Sequence, residues 1–211
     1  MRELVLGIWT FAVLVGTCTV AMKGPIFLKN QPSSFVSTPM TLGFGVVVAL
    51  TLRVFGIEVF LYRFLSHVFS SNQLVALFVV LCGALNAFCA GLTAHARSKF
   101  SVPLPFVYPS PSDIPDVSAA ARHEWLCVVR VHENFLEFLP QMLAISFVSV
   151  FICKHEYLGP VLGLVWILGR FLYAVGYSSG FPQRRLPGLL LSLLGYFTQH
   201  GLVICWIFLQ Q

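Results

Sequence analysis

Long apolar runs constrain this chain more than any other feature. Of its 211 residues, 57% are hydrophobic and 10% are charged, and the mean hydropathy is +0.84. A soluble domain carries about 25% charged residues. The apolar residues form runs of about 20, each long enough to cross a bilayer as a helix. We therefore predict an all-α, polytopic membrane protein.

Six runs are predicted to span the membrane, at residues 4–22, 41–64, 72–96, 118–154, 158–180 and 186–209. A cleaved signal peptide is the alternative for the first run, which is longer than a usual signal core. The proline-rich stretch 100–117 should form an extended loop, and Pro140 should kink the fourth span. With six spans, seven loop Lys and Arg residues fall on one side and three on the other. That asymmetry is expected of charges that orient a membrane protein.

The net charge of +5 does not indicate nucleic-acid binding. The basic residues are spread over loop ends, and their longest run is Arg184-Arg185. The six cysteines and six histidines likewise lack the spacing of a zinc, haem or redox site. We therefore predict no metal, no haem and no nucleic-acid partner.

The second predicted span carries three charges, Arg53, Glu58 and Arg63. Arg53 and Glu58 lie about 140° apart around a helix, so they do not pair within it. Either these residues meet partners on another helix or subunit, or the segment bends near Gly56 and lies partly at the membrane interface. We favour a spanning helix, with the three charges as candidate contacts for a partner protein.

Small residues recur every four positions in the third span, at Gly83, Ala87 and Gly91. Such a stripe lets another helix approach closely. We predict that it is a packing surface.

A polar row interrupts the fourth span in the sequence RVHENFLEFLP. Arg130, Asn134 and Glu137 fall within about 60° of one another on one helical face. Such residues are costly in lipid and normally face a bundle interior or a watery pocket. The row therefore indicates a functional site, and the alternative is a structural pair of Arg130 with Glu137.

The next span carries a second row in the sequence GRFLYAVGY. Arg170, Tyr173 and Tyr177 share one face, and Arg184 follows seven residues later. An interfacial aromatic belt is the structural alternative for the tyrosines. A belt does not require them to share a face with an arginine.

These paired motifs resemble the MAPEG family, membrane-associated proteins in eicosanoid and glutathione metabolism. The likeness is closest to the microsomal glutathione transferase branch and runs from about Asn72 to the end of the chain. It implies a four-helix membrane bundle for residues 71–211. Residues 1–70 have no counterpart in that plan and form an extension with the two further transmembrane helices predicted from their apolar runs. It also implies a homotrimer, with glutathione bound between subunits as co-substrate.

The resemblance also implies roles for individual residues. Arg130 would bind a glutathione carboxylate, Asn134 and Glu137 its backbone and amino group, and Arg184 or Arg185 would activate the thiol. The full set expected to bind glutathione is Arg97, Arg130, Asn134, Glu137, Arg170, Tyr173 and Tyr177. Two positions depart from related synthases. Ser98 stands where a second arginine often follows Arg97, and Phe138 stands where a tyrosine sometimes follows Glu137.

Two functions follow from this resemblance. The first is a glutathione transferase or peroxidase that attacks lipophilic electrophiles or lipid hydroperoxides arriving from the bilayer. The second is a non-catalytic accessory subunit of a larger membrane complex, for example in a mitochondrion, that binds other subunits through its N-terminal helices. Membrane lipids are expected partners in both. The endoplasmic reticulum and the mitochondrion are the predicted locations.

Overall fold

The computed structural model describes residues 37–209, so the predicted first span lies outside the described residues. The described chain is helical: α1 Ser37–Val54, α2 Ile57–Leu65, α3 Ser71–Lys99, α4 Ala119–Phe147, α5 Leu158–Tyr177 and α6 Leu186–Leu209. A π-helical turn, Val148–Ile152, continues α4, and a 3₁₀ turn, Pro182–Arg185, precedes α6. The predicted all-α class is confirmed.

Four helices are long and apolar enough to cross a membrane, namely Ser71–Lys99, Ala119–Ile152, Leu158–Tyr177 and Pro182–Leu209. They correspond to the last four predicted spans. Pro140 lies inside α4, and the kink expected there stays a prediction. The chain is therefore an integral membrane protein with four membrane-length helices among its described residues.

Residues 37–65 do not form one continuous helix. Helices α1 and α2 meet at an angle of 65°, and the break falls at Gly56. The φ angle of Gly56 is +63°, in the left-handed region that glycine adopts without a steric penalty. The bend near Gly56 that the sequence offered as an alternative is therefore confirmed. By length and composition, the bent pair together passes as one span.

The described residues fall into two compact units, and the first comprises 37–71, Ile145–Leu162 and 196–209. Its apolar core is built from Ala49, Leu158, Leu162, Leu202 and Cys205. Polar contacts accompany this core. The buried Gln199 amide accepts a hydrogen bond from Ser146 and donates one to the carbonyl of Gly159. Such bonds join helices in a membrane because no water is present to replace them.

The second unit comprises Asn72–Ala144 and Gly163–Gly195. In this unit the proline-rich loop folds back onto the C-terminal end of α3 and the N-terminal part of α4. Arg97 donates hydrogen bonds to the carbonyl oxygens of Val102, Pro103 and Phe106 at 3.3, 3.2 and 2.9 Å. The buried Trp125 indole donates to the Val107 carbonyl at 2.9 Å. The loop is thus fixed by backbone acceptors that a sequence pattern does not reveal.

Helices α5 and α6 approach each other closely at glycines. A Cβ added at Gly169 would lie 2.3 Å from the backbone nitrogen of Ser192, and one added at Gly188 would lie 2.2 Å from that of Tyr173. The stripe predicted to pack is different. Among the described residues, no atom lies within 4 Å of a Cβ added at Gly83 or Gly91. Within the described part of this chain the stripe therefore has no close neighbour at its two glycines, and its role as a packing surface stays a prediction.

The Gly169 contact can be tested by one methyl group. Gly169→Ala should lower the thermal unfolding temperature in mild detergent, because the backbone of Ser192 leaves no room for a Cβ. Overpacking of this kind costs about 1–3 kcal/mol. Gly91→Ala is the matched control, since the same methyl group meets open space there. Equal melting temperatures for the two variants would contradict this packing.

Candidate functional site

The polar row of α4 forms a chain of contacts along one face. The Arg130 Nη1 lies 2.9 Å from a carboxylate oxygen of Glu133 and 3.7 Å from one of Glu137. Asn134 donates from its amide nitrogen to Glu137 at 3.3 Å. The side chains of Arg130 and Glu137 are 44% and 53% exposed. Charged groups at a membrane helix surface need water, a ligand or another protein chain beside them.

A buried arginine lies behind this row. Arg170, on α5, is 2% exposed, and its Nη1 donates to the Asn134 carbonyl oxygen at 2.6 Å. Its guanidinium lies 4.3 Å from the ring centre of Phe138 and 5.5 Å from that of Trp166. A buried cation is tolerated only with hydrogen-bond and π partners of this kind. The structure thus brings the two predicted polar rows together, and Asn134 is the residue that joins them.

The two tyrosines of α5 continue the site toward the end of the helix. Tyr173 is buried, and its ring meets that of Tyr177 edge to face at 5.5 Å. The guanidinium of Arg185 lies 4.6 Å from the Tyr177 ring centre and also interacts with the Tyr173 side chain. Arg184 is exposed and lies over the Phe181 ring at 4.6 Å. The two candidate catalytic arginines therefore differ, because only Arg185 contacts the tyrosines of its own chain.

Gly176 explains how the basic turn reaches α5. A Cβ at Gly176 would lie 2.2 Å from the carbonyl oxygen of Arg184. The 3₁₀ turn can approach the helix this closely only because a glycine stands there. Any larger residue would push Arg184 and Arg185 away from the tyrosines.

Three neighbours of the site were missed by the sequence reasoning. Glu133 lies one turn beyond Arg130, and the spacing rule for helical ion pairs could have found it. His132 is hydrogen-bonded to Asn86 of α3 at 3.1 Å. Tyr108, in the proline-rich loop, donates a hydrogen bond to Glu133. No sequence signal links Tyr108 to α4, because their contact depends on the fold of the loop.

Arg97 is not brought to the polar row. It is bound to loop carbonyls, and its guanidinium lies 5.1 Å from the Trp125 ring centre. Arg97 therefore positions the loop in this structure, and its predicted binding of glutathione stays a prediction.

The three candidate partner contacts lie in the first unit. Glu58 is bound to His155 at 2.8 Å, so it already has a partner within the chain. Arg53 and Arg63 are exposed.

An apolar groove of about 420 Å³ runs between α3 and α5 in the second unit. Leucine, isoleucine and phenylalanine side chains line most of it, among them Phe88, Leu168 and Phe171.

Within residues 37–209, no three His, Cys, Asp or Glu side chains are grouped as metal ligands. The chemistry available is thus a cation, two carboxylates and an amide beside tyrosines. Such a set suits a small zwitterionic molecule that carries carboxylates.

The fold and the site together define a helical membrane protein with an exposed polar row on its fourth predicted span. The model of the MAPEG family matches residues 75–205, and the chain belongs to that family. The human protein microsomal glutathione S-transferase 2 is 30% identical over 123 residues, which cover 58% of this chain and 74% of the relative. The family predicted from the two motifs is thus confirmed. Within the microsomal glutathione transferases, the two motifs resemble the third type most closely, and this finer likeness stays a prediction. The domain boundary near residue 70 also stays a prediction.

Loss of the Asn134 amide should destabilise the second unit. Asn134→Ala removes the acceptor of a buried cation, at a cost of about 1–3 kcal/mol, and should lower the thermal unfolding temperature. Asn72→Ala, at an exposed position in the same unit, is the control. A melting temperature unchanged by Asn134→Ala would show that the bond to Arg170 adds nothing to stability.

Proposed function

We propose that this chain is a membrane-bound glutathione transferase or glutathione peroxidase. The observation that carries the proposal is the row of exposed charges on a membrane-length helix, with the buried pair of Arg170 and Asn134 behind it. Family membership and the glutathione S-transferase named among its relatives support the same function.

Glutathione is complementary to this row in charge. It carries two carboxylates and an ammonium group, and a guanidinium such as that of Arg130 binds a carboxylate through two parallel hydrogen bonds. The exposed carboxylate of Glu137 suits the ammonium group. The Asn134 oxygen accepts from Arg170 and one amide N–H donates to Glu137, which leaves the second amide N–H for the ligand. The tripeptide would thus lie along α4, with its thiol directed toward the tyrosines.

The thiol is activated by an arginine of the basic turn. A guanidinium beside a thiol favours the thiolate, which is the nucleophile. Arg185 is engaged with Tyr177 and Tyr173, whereas the exposed Arg184 can turn toward a ligand. We therefore assign the activating role to Arg184 and a positioning role to Arg185.

The thiolate then reacts with a lipophilic partner. In a transferase reaction, the sulfur forms a bond to carbon, and the leaving group departs or the electrophile takes up the proton. In a peroxidase reaction, one glutathione attacks a hydroperoxide and releases the alcohol. A second glutathione then forms the disulfide and releases water. The apolar groove of about 420 Å³ suits the hydrocarbon part of such a substrate.

Exposure of the row also supports a homotrimer. Arg130 and Glu137 lie on a helix surface that lipid would meet in an isolated chain. Contact with a neighbouring copy would cover these charges and enclose glutathione between subunits.

The thiolate itself provides the test. Ultraviolet difference absorbance of the purified protein in mild detergent should show a glutathione thiolate at neutral pH. The signal should disappear in Arg184→Ala and persist in Arg185→Ala, because Arg184 is the guanidinium that can reach the thiol. Loss only in Arg185→Ala would reverse the two assignments. No signal in the parent protein, with its oligomer intact, would contradict catalysis.

A non-catalytic accessory subunit is the second candidate. The bent pair α1 and α2 favours it, because Arg53 and Arg63 are exposed beside large apolar residues such as Phe55 and Phe60. Co-migration with a large complex in a mild-detergent native gel, without free trimer, would support this function. Migration only as a small oligomer would contradict it. Immunoblots of separated endoplasmic reticulum and mitochondrial membranes would decide the location.

A further inference from the structure

The arginine assigned to a glutathione carboxylate already holds a carboxylate of its own chain. One oxygen of Glu133 accepts hydrogen bonds from both Arg130, at 2.9 Å, and the hydroxyl group of Tyr108. Glu137 lies further away, at 3.7 Å from Arg130. Any ligand carboxylate that approaches Arg130 therefore meets a guanidinium whose charge is compensated, with two negative side chains beside it.

Tyr108 is held in place by the anchors of the proline-rich loop. The carbonyl of Val107, the residue before it, accepts the hydrogen bond of the buried Trp125 indole. The carbonyl of Phe106 accepts one from Arg97 at 2.9 Å. These two bonds fix the backbone on the N-terminal side of Tyr108. The phenol reaches Glu133 from a fixed loop and not from a freely moving one.

The protonation state of the phenol suits this contact. Its hydrogen bond to the Glu133 carboxylate raises the pKa of Tyr108 above its ordinary value of 10.0. Because the pKa is raised, the phenol keeps its proton at neutral pH, and the bond is lost as the pH rises through the raised value. The contact is therefore present at physiological pH.

We propose that Tyr108 and Glu133 form an inhibitory clasp, in which the Glu133 carboxylate occupies Arg130 until the carboxylate of glutathione displaces it. This inference rests on the proposed function and adds a regulation of the same site. The Arg130 and Glu133 side chains are 44% and 32% exposed, so their ion pair is weak enough for a ligand to exchange. Release of Glu133 also releases Tyr108, which couples occupation of the site to the loop.

A purely structural role for Glu133 predicts the opposite change in glutathione affinity when Glu133 is neutralised. If Glu133 only orients Arg130 for the ligand, its neutralisation would weaken glutathione binding. If it competes with the ligand, neutralisation would strengthen binding. Loss of an exposed ion pair such as that of Arg130 with Glu133 should change the dissociation constant of glutathione about two- to fivefold.

The experiment is isothermal titration of glutathione into the full-length protein in mild detergent. Glu133→Gln should bind glutathione about two- to fivefold more tightly than the parent. Tyr108→Phe should shift the affinity in the same direction by less, because Glu133 loses one of its two donors. Glu156→Gln and Tyr62→Phe are the controls, with the same chemical changes at exposed positions in the first unit, and should bind like the parent.

Hydrogen exchange of loop residues 103–110 gives a readout that does not require glutathione. Exchange in the free protein should be faster in Tyr108→Phe and Glu133→Gln than in the parent. Exchange in the parent should rise when glutathione is added. Loop exchange that is identical in all three proteins would overturn the clasp.

The binding outcomes separate this inference from the proposed function. If the parent binds glutathione and Glu133→Gln binds it equally or more weakly, the clasp is wrong and the glutathione site stands. If Glu133→Gln binds more tightly and Tyr108→Phe does not, the loop has no part in the competition, and the clasp as proposed is wrong. Binding by Glu133→Gln but not by the parent would support the clasp. Binding by neither would reject both.

Discussion

The buried guanidinium of Arg170 is the charge on which the second unit is arranged. A cation at 2% exposure in a membrane protein has no water to solvate it, so the surrounding side chains must do so. The Asn134 oxygen supplies a hydrogen bond, and the rings of Phe138, Trp166 and Tyr173 supply π faces. Asn134 belongs to α4 and Arg170 to α5, so satisfying this charge also sets which residues of the two helices face each other. The adjacent Gly169 lets the backbone of α6 approach at the same level.

The bond between Arg170 and Asn134 also orients a side chain of the exposed polar row on α4. Because Arg170 uses the oxygen of Asn134, the amide nitrogen points the other way, toward Glu137 and the exposed row. A buried charge therefore orients a neutral side chain that serves an exposed site. In the glutathione site that we propose, this contact would fix the rotamer of a group that meets the ligand. The exposed charges of Arg130 and Glu137, in turn, require a polar neighbour at the helix surface.

The length of apolar runs and the spacing of polar residues predicted the features that arise within a single helix. Four membrane helices followed from the length of their apolar runs, and the two polar rows followed from spacings of three and four residues. The meeting of Asn134 with Arg170 needed the packing of two helices, which spacing alone does not contain. The role of Arg97 depended on loop carbonyls, and a backbone acceptor leaves no mark in a sequence. The glycine stripe of α3 is a related case, because small residues permit close packing without showing which surface receives it.

Glutathione affinity of an Arg130→Ala variant is the most direct test of the central claim, that the row on α4 is a glutathione site. The titration would use the intact oligomer in mild detergent, with Arg63→Ala as a control that removes another exposed arginine from a different helix. Arg130→Ala should bind glutathione at least about tenfold more weakly, equivalent to about 1.4 kcal/mol, and Arg63→Ala should bind it like the parent protein. Equal affinities in the parent and Arg130→Ala would place glutathione elsewhere and contradict the account.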